Sequence, residues 1–105
     1  MKNQKEIKKI TKQIVEKYKP EKIIIFGSFA WGKPSKDSDV DLFIIKNTKN
    51  PRGERLAKVE RILLERALPL DILVYTPKEV RERLALGDFF IEDIIKKGTL
   101  IYAGE

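Results

Sequence analysis

Residues 27–41 read GSFAWGKPSKDSDVD: a glycine and a serine, ten further residues, then two aspartates flanking a valine. A glycine ending an apolar strand lets a phosphate approach the backbone, and a helix opening at Ser28 would offer free N–H groups and its positive dipole end. The Ser28 hydroxyl adds another donor, although a Gly-Ser pair also serves as a simple helix cap. On a strand, Asp39 and Asp41 project from one face while Val40, Leu42 and Ile44 point the other way. Two carboxylates so placed repel unless a cation lies between them. Magnesium suits both halves of the run, because it prefers hard oxygen ligands and commonly joins carboxylates to phosphates. The alternative is a polar strand entrance with Asp37 and Asp39 as turn residues.

Asp71 bears on that choice. It stands in LPLDILVY, an otherwise apolar strand where an unpaired carboxylate is expensive to bury, and it shares a face with Leu73 and Tyr75. If this strand neighbours residues 40–45, Asp71 joins Asp39 and Asp41 in one acidic cluster. Otherwise it lies at an exposed strand end or pairs with an arginine.

The 105 residues contain no histidine and no cysteine. Ser-His-Asp hydrolysis, thiolate chemistry and imidazole zinc sites are thereby excluded, which leaves carboxylates, lysine, tyrosine or bound hard cations to do any chemistry. The net charge of +6 favours an anionic ligand or an acidic partner, with a solvated lysine-rich surface as the plainer reading. The 36% of charged residues, rich in Lys, Glu and Arg, resembles thermophile composition. No apolar run approaches the roughly 18 residues of a membrane span, and MKNQKEIKK lacks the apolar stretch of a signal peptide, so a cytoplasmic setting is expected.

Several elements must position these residues. Ile7, Ile10, Ile14, Val15 and Tyr18 recur at helical spacing over residues 3–18, and Pro20 stops that helix. Residues 22–26 (KIIIF) form an apolar strand broken by Gly27, and a short helix is expected from Ser28 to about Gly32. Loops over residues 33–38 and 47–53 bound a strand at 40–45. Leu56, Val59, Leu63 and Ala67, widened by Ile62 and Leu64, mark a helix over 54–67, and Pro69 separates it from a strand at 70–75. Thr76-Pro77-Lys78-Glu79 is a capping box, opening a helix to about Leu86. Another helix runs from Gly87-Asp88 to Gly98, and residues 99–102 could add a strand. The order α-β-α-β-α-β-α-α places helices against a small central mixed sheet, an α/β (α+β) arrangement in one domain spanning 1–105.

These residues together resemble the nucleotidyltransferases of the DNA polymerase beta type. The likeness is closer to the minimal nucleotidyltransferase (MNT) domains paired with HEPN-domain proteins in prokaryotic toxin–antitoxin operons, and it covers nearly the whole chain. It implies the nucleotidyltransferase fold. It also implies a triphosphate held at Gly27 and Ser28, and two magnesium ions bound by Asp39 and Asp41 with Asp71 completing the site. Many members carry G-S-x-A-R-G, and here the arginine position is Trp31, which could stack on a base or pack against the domain; Lys33 or Lys36 would supply the missing charge.

The implied activity is transfer of AMP from ATP to a tyrosine of a cognate HEPN ribonuclease, the chain acting as antitoxin. The alternative is a binding module that neutralises its partner by association alone. Residues 72–105 suffice only to finish one domain, so the acceptor is expected from another protein or another subunit, a second copy of the chain included. Phe90, Ile91, Ile94 and Ile95 form an apolar arc on the last helix with Phe89 outside it, covered either by a partner or by the C-terminal TLIYAGE. Nucleic acid is not expected as a direct ligand, because exposed aromatics interleaved with an Arg-rich face are missing.

Overall fold

A computed structural model describes residues 2–27, 30 and 39–104. The first helix, α1 (Lys2–Tyr18), buries Ile10, Ile14 and Tyr18 along one stripe and ends where Lys19 takes a positive φ of 54° before Pro20. Strand β1 (Lys22–Phe26) is buried beyond its first residue, as a run of isoleucines requires. The helix expected after Ser28 lies outside the described residues, apart from Ala30, which is helical. Then follow β2 (Val40–Ile45), α2 (Arg52–Ile62), β3 (Leu70–Tyr75), α3 (Pro77–Ala85), α4 (Phe89–Lys97) and β4 (Thr99–Ala103).

The sheet order is β3-β2-β1-β4. Strand β1 runs antiparallel to both β2 and β4, whereas β2 and β3 are parallel, so the sheet is mixed as expected. Period-two alternation divides the core. Ile23, Ile25, Val40, Leu42, Ile44, Ile72 and Val74 face α1 and α2, meeting Ile10, Ile14, Val59 and Leu63. Ile24, Phe26, Phe43, Ile45 and Tyr75 face α3 and α4, meeting Val80, Ile91 and Ile94. No helix among the described residues is long and apolar enough to cross a membrane.

The second helix departs from expectation. It spans 52–62 rather than 54–67, and Leu64 and Ala67 are exposed in the turns leading to Pro69. Strand β3 has to start at Leu70, so the chain turns after Leu63, and the Ala67 N–H finds the Glu6 carboxylate instead of a helical carbonyl. Leu56 is also partly exposed, and the buried stripe holds Arg55 in its place. Arg55 Nη1 lies 2.7 Å from Glu79 Oε1 and 3.2 Å from the Val74 carbonyl, while its Nε donates to the Asn50 carbonyl at 2.7 Å. Glu79 also closes the expected capping box, accepting from the Thr76 N–H at 2.8 Å while its own N–H donates to Thr76 Oγ1 at 3.1 Å.

The Arg55 hydrogen bond, followed by that from Thr76, holds the Glu79 carboxyl below its ordinary range against the opposing effect of burial. A depressed carboxylate pKa contributes stability above its unfolded value, and that stability is lost as pH falls through the folded value. Thermal melts of Glu79→Gln should therefore change less with acid than those of the parent chain below the ordinary glutamate range. Arg55→Met, which strands Glu79 at the cap, should cost about 3 kcal/mol at neutral pH in chemical denaturation.

Candidate functional site

Strand direction brings the chemistry-bearing residues to one end of the sheet. Because β1 is antiparallel to β2 and β2 parallel to β3, the end of β1 and the beginnings of β2 and β3 lie at the same end of the sheet. Phe26 is opposite Asp41, and Asp41 is opposite Asp71. Asp41 precedes Phe43 on the face toward α3 and α4, and Asp71 precedes Leu73 on that same face. The two carboxylates thus stand side by side on adjacent strands, with Asp39 two residues upstream at the exposed entrance to β2.

The argument from burial at Asp71 does not hold in the folded chain. Asp71 is the second residue of β3 and is exposed, so it meets little desolvation; Asp41 is the one that is partly buried. Burial, then the charge of Asp71, then that of Asp39 push the Asp41 carboxyl above its usual range. The three aspartates therefore share one electrostatic field. Among the described residues, no group of three acidic side chains is already gathered closely enough to hold a metal ion.

Gly27 has a reason to be glycine that the sequence did not display. Its φ is +75°, and a Cβ there would run into the Asp41 carboxylate, with Asp41 Cγ only 3.1 Å away. The glycine leaves the space in which the Asp41 carboxylate sits. Its carbonyl accepts the Ala30 N–H at 3.0 Å, turning the chain immediately after the strand. Ser28, Trp31, Lys33 and Lys36 lie outside the described residues.

An aromatic flank went unnoticed in the sequence. Phe26, register partner of Asp41, meets Phe90 of α4 edge to face, with ring centroids 5.8 Å apart at 84°. Phe90 remains 53% exposed, Phe89 80% and Leu86 76%, so the C-terminal strand does not cover Phe89; β4 instead pairs with β1. Within the expected arc, Ile91 and Ile94 are fully buried while Phe90 and Ile95 sit at its margins. An aromatic two positions past the N-cap aspartate Asp88 was the available signal, but only the sheet register shows that it adjoins the carboxylates.

Two outcomes follow from this crowding. Native Asp41 holds its proton more tightly than the unfolded chain does, so its ionised form subtracts from stability above the raised folded pKa. In buffer free of divalent cations, Asp41→Asn should raise Tm at neutral pH, and the gain should shrink as pH falls through the carboxylate range. Gly27→Ala, forced to positive φ and against Asp41, should lower stability by about 1–3 kcal/mol in denaturant titrations.

The sequence was also compared with known proteins. No curated protein matches the chain. The model of the nucleotidyltransferase domain family matches residues 6–101, a span that takes in most of α1, all three carboxylates and most of β4. With its mixed four-stranded sheet and an acidic strand end facing the turn at Gly27, the chain belongs to the nucleotidyltransferase domain family.

Proposed function

We propose that the chain transfers AMP from ATP to a hydroxyl of a partner protein, a tyrosine of a cognate HEPN ribonuclease, and so acts as an antitoxin in a cytoplasmic toxin–antitoxin pair. The observation that carries the transfer chemistry is the register that sets Asp41 beside Asp71 with Gly27 against Asp41. The donor set fits magnesium: it offers hard carboxylate oxygens, and the repulsion felt at Asp41 is what a cation between the strands would relieve. Asp41 and Asp71 would hold the metal, with Asp39 from the approach to β2. When bound, magnesium would offset the triphosphate charge and favour the ionised acceptor oxygen.

The chain's own groups account for the rest. Asp71, exposed at its strand entrance, takes the acceptor's proton. The acceptor oxygen bonds to the α-phosphorus, the bond from that phosphorus to the bridging oxygen breaks, and pyrophosphate leaves with the electron pair. Ser28, Lys33 and Lys36 are assigned to the triphosphate by their places in the motif. With no histidine in the chain, a carboxylate is the natural proton acceptor.

The exposed Leu86, Phe89 and Phe90 support an acceptor that is itself a protein. They form apolar surface where α3 gives way to α4, and Phe90 touches the residue paired with Asp41. The same surface favours a second reading, a module that neutralises its partner by binding without transfer.

Incubation with α-labelled ATP, magnesium and the neighbouring-gene product separates the two. Label should move to the partner with the parent chain and fall to background with the Asp39→Asn, Asp41→Asn double variant, whose circular dichroism should be unchanged. Transfer retained by that variant overturns the assignment of the carboxylates. Stable association with no transfer by the parent chain establishes the binding module.

A further inference from the structure

The end of the sheet opposite the aspartates carries a second constellation. A cavity of about 480 Å³ is lined by Lys17 and Tyr18 from the end of α1, Lys46, Thr48 and Asn50 after β2, and Lys58, Arg61 and Ile62 of α2. Asp41 and Lys46 are separated by the length of β2, about 17 Å at the ordinary rise per residue, so the two ends are distinct places. Four cationic side chains line the cavity and no acidic one does.

Six cations outside the cavity are neutralised locally. Arg55, Arg66, Lys78, Arg83, Lys96 and Lys97 all have carboxylate partners. Among the described residues, Lys17, Lys46, Lys58 and Arg61 have none within ion-pair distance. Glu21, whose charge reaches the Tyr18 phenol, gives one carboxylate oxygen to the Asn47 N–H at 2.7 Å. Backbone carbonyls satisfy some of the charge: Lys46 Nζ donates to the Lys19 carbonyl at 3.0 Å, and Arg61 Nε to that of Ala57 at 3.4 Å.

The wall is built rather than loose. The Asn50 N–H donates to Thr48 Oγ1 at 3.1 Å, and the Asn50 carbonyl is held at 2.7 Å by Arg55, the one buried charged side chain among the described residues. Lys46 Nζ stands 5.3 Å from the centre of the Tyr18 ring. Tyr18 Oη is the one buried side-chain polar atom among the described residues without a hydrogen-bond partner. An ordered concave wall carrying four uncompensated cations, a hydroxyl and an amide suits a ligand with several negative charges close together.

We propose that this cavity binds a polyphosphate group, a chain of two or more linked phosphates, at a site separate from the aspartates and independent of their assignment. Linked phosphates carry several negative charges, and so match four cations better than a single phosphate does. Inorganic polyphosphates and nucleotides share this chemistry.

Calorimetric titration of the full chain with tripolyphosphate, in a chelator that removes divalent cations, tests the proposal. One equivalent should bind, with affinity falling as salt is raised. The Lys58→Gln, Arg61→Gln variant should bind roughly tenfold more weakly or worse, the factor carried by a lost charge-assisted hydrogen bond. The Asp41→Asn, Asp71→Asn variant should bind as the parent does, and circular dichroism verifies that both variants fold. ATP binding more tightly than tripolyphosphate would make the ligand a nucleotide; equal affinity would make the phosphate chain the whole determinant. The proposal is overturned by any of four results: no saturable binding, full affinity in the Lys58/Arg61 variant, loss of binding in the aspartate variant, or binding of single-stranded RNA without binding of tripolyphosphate.

Discussion

The structure depends on the ladder of β2. This strand is paired on both edges, parallel to β3 and antiparallel to β1, and only Asp41 among its six residues escapes full burial. Side chains alternate with period two, so a slip of one residue would send Asp41 into the layer under α1 and α2 and bring Phe43 and Ile45 out of theirs. Burying that carboxylate without a partner would cost several kilocalories per mole. The register is thus fixed by the core, and it sets Asp41 opposite both Asp71 and Phe26. Geometry at the acidic end follows from hydrophobic packing several residues away.

A second constraint holds the opposite half. Arg55 is buried, and its guanidinium reaches Glu79, the Val74 carbonyl and the Asn50 carbonyl. It thereby joins α2, the end of β3, the cap of α3 and the loop after β2. A pair of this kind adds little net stability over an apolar replacement, but its directional bonds fix how these segments meet. The cationic cavity borders the same loop. The sheet therefore has an acidic end, shaped by strand register, and a basic end, shaped by a buried ion pair.

Much of the fold was legible because its elements announce themselves locally. The stripe of α1, the apolar strands β1 and β2, and the Thr76–Glu79 capping box all stand where their residues indicate. The failures share a cause. Leu64 and Ala67 continue a helical pattern, but a strand that had to begin at Leu70 ended the helix first. Asp71 looked expensive because its neighbours in sequence are apolar, yet its place at the strand entrance leaves it exposed. Phe89 kept its exposure because the C-terminal residues found a strand partner in β1. In each instance a distant segment decided what a local pattern could not.

The sequence by itself determined the chemical repertoire. Without histidine or cysteine, and with a Gly-Ser turn and three aspartates at strand ends, it confined the chain to carboxylate and hard-cation chemistry and marked the family. Residue identity suffices for that, because donor type and charge are properties of single side chains. Only the tertiary structure decided which of these groups meet. It set Asp41 against Asp71, gave Gly27 the task of clearing space for a carboxylate, and gathered four cations from three segments at the far end. Contacts between strands and helices distant in sequence depend on direction and register, and those are fixed by how the whole apolar core closes.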